Sequence, residues 1–131
     1  MGMTYLLDTH SFVWLLSSPD RMTESLRTEL RSTANRLLVS AVSAMEVATK
    51  VRLGKFDAAA PLVSTWDRRV DDIDAESLDL TTAHALHAGS MPWNHRDPFD
   101  RLLAAQAIVE NVVLVTADSA FTTNSAVRTA W

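Results

Sequence analysis

The run "VVLVT", residues 112–116, constrains the fold more than any other part of this chain. Valine favours extended backbone, and a strand apolar at every position has to be covered on both faces. A one-faced antiparallel sheet cannot accommodate it. The run therefore predicts a central strand of a parallel sheet. Further strands are expected at "TYLL" (4–7), "RLLVSAV" (36–42) and "SLDL" (77–80), with "VRTAW" (127–131) as a final edge strand. Helical patterning separates them. An apolar run around Phe12, Trp14, Leu15 and Leu16 ends at "SSPD", and an arginine-bearing helix follows at about 23–33. Next come helices at about 43–53, closed by Gly54, at 59–71, and at "TTAHALHAG", stopped by Gly89. The last helix, in "DPFDRLLAAQAIVEN", has Pro98 at its first position. Strands alternating with helices predict an α/β domain, a parallel sheet of four to five strands with helices on both faces.

A length of 131 residues predicts one domain spanning 1–131. Hydrophobic content of 47% beside 21% charged residues fits a folded soluble protein, and no apolar run approaches the roughly 20 residues of a membrane helix. The opening "MGMTYLLD" has no secretory or myristoylation pattern, so a cytoplasmic location is expected. The chain contains no cysteine, which excludes disulfides and thiolate metal sites. A net charge of -4 argues against holding nucleic acid by overall positive potential. An enzyme acting on nucleic acid remains open, because bound cations can reverse the field of an acidic pocket.

In open α/β folds the functional crevice lies at the carboxyl ends of the strands. Asp8 follows the first expected strand, Glu46 falls early in the helix after the second, Asp97 and Asp100 start the helix leading into "VVLVT", and Asp118 follows that strand. Each has an ordinary structural role open to it. Asp8, Asp97 and Asp118 can cap helices or turns, and Asp100 can answer a helix dipole. Ser43 and Glu46 fit a capping box, and Glu46 can pair with Lys50 one turn on. Taken together they suggest more, because clustered anions raise one another's pKa, a cost that a cation offsets. Oxygen-only donors suit Mg²⁺ or Mn²⁺, which can position water and stabilise charge on a phosphodiester.

These residues resemble a known family across essentially the whole chain. "LLDTH", "SAMEV", "DPFDRLLAAQA" and "VTAD" occur here in the order found in the PIN-domain ribonucleases and, within them, the VapC-like toxins of toxin–antitoxin pairs. "DPFDRLLAAQA" is the most specific of the four. The resemblance implies a PIN-like fold and a Mg²⁺- or Mn²⁺-dependent endoribonuclease with an acidic quartet of Asp8, Glu46, Asp100 and Asp118. Asp97 belongs to the same motif as a further ligand, a supporting group or a cap. It also implies an RNA substrate, a small cognate antitoxin and a homodimer. An antitoxin would lay an apolar helical face against the first two helices and extend a basic side chain to the acids. The residues themselves leave two alternatives, a metal-dependent phosphatase and a phospho-acceptor signalling domain. The first usually has a second Asp two positions after the first, where this chain has His10, and the second wants a lysine after a late strand, which "VVLVT" lacks.

Around the acids, Thr9, Ser43 and Thr116 are candidates to hydrogen-bond the carboxylates, and His10, His95, Arg96 and Arg101 to touch substrate. His84 and His87 lack a third ligand and suit packing or solvent. The acidic positions Asp71, Asp72, Asp74, Glu76 and Asp79 suit a solvated loop around a strand. Trp14 and Trp66 suit a core or protein interface rather than base stacking.

Overall fold

The computed structural model describes residues 2–131. Five parallel strands, β1 (Thr4–Leu7), β2 (Arg36–Ser40), β3 (Glu76–Leu78), β4 (Val113–Val115) and β5 (Thr129–Ala130), form one sheet in the order β3-β2-β1-β4-β5. The connections after β1 lead outward through β2 to β3, and the chain then returns to the other side of β1. Strand order thus reverses between β1 and β4, a switch point at which the loops part and leave a crevice.

Among the described residues, seven α-helices connect the strands: α1 (Thr9–Ser17), α2 (Glu24–Arg31), α3 (Ala41–Arg52), α4 (Ala60–Ser64), α5 (Trp66–Asp72), α6 (Thr82–Ser90) and α7 (Pro98–Val109). Successive strand residues face opposite sides. Tyr5, Leu7, Leu37, Val39, Val113 and Val115 therefore enter a core with Phe12 of α1, Val47 of α3 and Leu62 of α4. Leu6, Leu38 and Leu114 enter a second core with Leu103, Ala104 and Ala107 of α7. Both faces are covered, as the unbroken run in β4 requires. The small side chains of α7 let its backbone approach the sheet closely.

Three boundaries differ from the sequence reading. The expected helix at 59–71 is two helices, because the Thr65 hydroxyl donates to the Pro61 carbonyl at 2.8 Å and the backbone turns out of helical geometry there. Helix α6 runs through Gly89 to Ser90, and Pro92 ends it by forcing Met91 into extended conformation. Helix α3 begins at Ala41, capped by Ser40. Ser43 and Glu46 are consequently interior helix positions, both buried, and do not form the capping box that their spacing allows. Gly54 does close α3. At φ +70° it lets Gly54 N–H donate to Val51 and Lys55 N–H to Lys50.

Candidate functional site

Asp8, Glu46, Asp97, Asp100 and Asp118 line one cleft of about 350 Å³, together with Thr9, His10, Trp14, Lys50 and Ala117. The fold brings them there from four directions. Asp8 leaves the end of β1 and caps α1, its Oδ1 accepting the Ser11 N–H at 2.8 Å. Glu46 projects from the second turn of α3. Asp97 caps α7 by accepting the Phe99 N–H at 2.9 Å, which leaves Asp100 in the first turn of the same helix. Asp118 follows β4 and caps the 3₁₀ turn Ser119–Thr123 through the Ala120 N–H. The capping roles and the shared cleft are thus compatible. A carboxylate satisfies one N–H with one oxygen and keeps further lone pairs for the cleft.

Burial differs among the acids. Asp8 and Glu46 are 7% and 4% exposed, Asp97 and Asp100 are half-buried, and Asp118 is exposed. Burial pushes the Asp8 carboxyl above its ordinary pKa, against hydrogen bonds from Ser11 and Thr116 that favour the anion. Asp100 is raised as well, first by burial and then by the charges of Asp97 and Glu46, while its bond from His95 works the other way. Glu46 is held from two sides. Thr9 donates to its Oε1 at 2.6 Å, Lys50 pairs with its Oε2, and Ser43 contacts the Thr9 hydroxyl at 3.0 Å.

Of the hydroxyls singled out in the sequence, Thr9 bonds Glu46 directly, Ser43 acts through Thr9, and Thr116 bonds Asp8 and also accepts the Asp118 N–H at 3.0 Å. His10 lines the cleft, and His95 lies behind it, its Nε2 2.7 Å from Asp100 Oδ2. Neither arginine lines it. Arg96 is exposed. Arg101 turns inward, where its guanidinium donates to the carbonyls of Ala88, Met91, Trp93 and His95 at 2.6–3.0 Å. Those bonds occupy the group expected to meet phosphate, so Arg101 shapes the 88–95 segment instead.

Lys50 is the cleft residue that sequence reasoning missed as a participant. Its i, i+4 spacing from Glu46 was a legible signal, but that spacing reads equally as a solvated helix pair. Trp14, expected in a core or interface, forms part of the cleft wall. Trp66 does pack against Phe12, with ring centroids 5.0 Å apart. His84 is a buried capping residue of α6, bonded to the Thr81 backbone and to Glu110.

The donor set facing the cleft is all oxygen apart from Lys50 and His10, and two of its carboxylates sit where burial disfavours their charge. That chemistry fits a hard divalent cation. Among the described residues no three His, Asp or Glu side chains converge on a common ligating point.

A family model for the PIN domain matches residues 5–125, nearly the full chain and all the acids of the cleft. The chain belongs to the PIN-domain family. It is 29% identical over 116 residues to "Ribonuclease VapC22" of Mycobacterium tuberculosis, covering 88% of this chain and 87% of that one. Among solved structures, VapBC2 from Rickettsia felis bound to a promoter DNA fragment superposes with a TM-score of 0.69 at 20% identity, over 98% of each chain. DNA-bound VapBC from Salmonella typhimurium gives 0.67 at 20% identity, over 98% of this chain and 97% of that one. At these identities the structures establish the PIN fold.

Proposed function

We propose that this PIN-domain protein is an endoribonuclease, the toxin of a toxin–antitoxin pair, that hydrolyses RNA phosphodiester bonds with Mg²⁺ or Mn²⁺ in the acidic cleft. The observation that carries this reading is the gathering of Asp8, Glu46, Asp100 and Asp118 on one cleft of a PIN fold whose relative is a VapC ribonuclease. Asp8, Asp100 and Asp118 would hold the ion, with Glu46 joining them once Lys50 yields one of its oxygens. Bound there, the ion would neutralise the acids and supply Lewis-acid charge for the phosphodiester.

The chain's own groups perform the remaining work. Thr9 holds Glu46 in one orientation, His95 does the same for Asp100, and Thr116 links Asp8 to the loop carrying Asp118. Preorganised carboxylates do not have to reorganise as charge develops on the substrate. Asp97, occupied as a cap, plays a supporting role. The VapBC structures pair a toxin of this fold with an antitoxin, and we extend that pairing to this chain, together with a homodimeric state.

Labelled RNA incubated with purified protein and Mg²⁺ tests the reading. Cleavage should require the added ion, stop with EDTA, and fall about 100-fold or more in Asp8→Asn and Asp100→Asn. Asp97→Asn should lose less than Asp100→Asn, since an amide oxygen still caps α7. Wild-type rates in both of the first two variants, or cleavage indifferent to EDTA, would overturn the assignment.

A further inference from the structure

One wall of the cleft is aromatic. Phe56, His10, Trp14 and Trp131 form a continuous row, with neighbouring ring centroids 5.8, 5.6 and 5.6 Å apart. Arg21 places its guanidinium 5.0 Å from the Trp14 ring centroid. Phe, Trp and Tyr together make up only 7% of the chain, so three of them in one row with His10 beside the acids are a concentration rather than a background. These rings are not simply core. His10 is exposed, Trp131 is 40% exposed, and Trp14 and Phe56 are partly buried, with His10 and Trp14 lining the same cleft as the carboxylates. Apolar rings at the rim of an anionic pocket gain nothing from a small hydrated ion. A polynucleotide whose phosphate sits at the acids, by contrast, has to place a neighbouring base somewhere within reach, and His10 lies two residues beyond Asp8.

The geometry points to the His10–Trp14 row as a nucleobase subsite, which seats an unpaired base of single-stranded RNA beside the scissile phosphate. The inference rests on the nuclease reading of the cleft. Base-to-ring stacking tolerates any base, because each has a π face, and it works only on unstacked single strands. The row therefore selects for single-stranded regions and adds affinity without demanding one sequence. Arg21 holds Trp14 by a cation–π contact and leaves a positive charge near the path of the backbone.

The test uses the whole protein and two probes, a single-stranded hexaribonucleotide and an abasic hexamer with the same ribose-phosphate backbone. Binding is followed by tryptophan fluorescence with Ca²⁺ in place of Mg²⁺, and cleavage of a long RNA is measured separately in Mg²⁺. The base-bearing hexamer should quench fluorescence and bind about fivefold or more tightly than the abasic one. His10→Ala should reduce that preference to less than about twofold, and His10→Phe should keep it. His10 is exposed, so the fold of these variants is not at risk. Equal affinity for the two hexamers in wild type, or a full preference surviving both His10→Ala and Trp14→Leu, would overturn the subsite. A row that seats a protein arm instead would show that equality. Cleavage of long RNA without base preference would overturn the subsite alone. Base preference without cleavage would preserve it and overturn the nuclease reading.

Discussion

Asp8 and Asp100 carry opposite demands in one side chain. Their negative charge is what the proposed chemistry needs, yet the fold disfavours that charge, chiefly through burial. The consequence for stability has a definite sign. A carboxyl raised in the folded state binds its proton more tightly there than in the unfolded chain, so its favourable contribution is present at acid pH. It is lost as pH rises from the ordinary carboxylate range through the raised folded value. In EDTA, Asp8→Asn and Asp100→Asn should melt above wild type at pH 7, and the gap should close towards pH 4. A thermal-unfolding series across that range checks it, and an Asn variant less stable than wild type at neutral pH would contradict it. Asparagine suits the comparison at Asp8 because its amide oxygen can still cap α1.

Among the elements, α7 contributes most to placing the site. Its N-terminus presents Asp97 and Asp100, its apolar face fills one core, and Gln106 ties it to β2 through a 2.5 Å bond with Ser40. Its Arg101 gathers four backbone carbonyls of the preceding segment, and that segment holds His95 against Asp100. A guanidinium suits this task because its planar fork donates in several fixed directions at once, whereas an ammonium on a shorter reach cannot satisfy all four. Arg101→Lys should therefore behave as a damaging change, lowering unfolding free energy by about 1–3 kcal/mol through carbonyls left without donors. Urea denaturation measures the loss, and amide exchange should show faster opening of residues 88–95. Unchanged exchange there would mean that Pro92 and the packing of Trp93 hold the segment without the arginine.

At the level of the whole molecule, the open sheet turns one end to the acidic cleft and leaves an apolar groove on the flank. Val13 and Leu16 of α1 face Ala58, Ala59 and Leu62 across a cavity of about 260 Å³. The groove lies on the α4 side of α1, where an antitoxin arm laid against α1 is expected to reach it. Apolar burial would supply most of the affinity, and a basic side chain reaching the carboxylates would supply selectivity. Leu16→Glu should abolish co-purification with the product of the neighbouring gene while leaving RNA cleavage intact. Retained binding would move the docking surface elsewhere.

The sequence alone determined what depends on local chemistry. The β-branched run of β4 required cover on both faces, Pro98 and Asp97 marked the start of α7, Gly54 closed α3, and the motif order pointed to the PIN-domain family. Strand ends are adjacent in any doubly wound sheet, so residues following strands could be assigned to one crevice without coordinates. Tertiary structure decided how long side chains turn and what they meet. Arg101 pointed inward because unpaired carbonyls lay within its reach, and Arg96 beside it stayed in solvent. Lys50 entered the cleft because buried Glu46 needed a countercharge, and Trp14 became a wall because His10 and Trp131 packed on either side of it. None of these choices is encoded at the residue's own position. Each depends on the burial and charge of neighbours that are remote in the chain, and only the folded molecule brings them together.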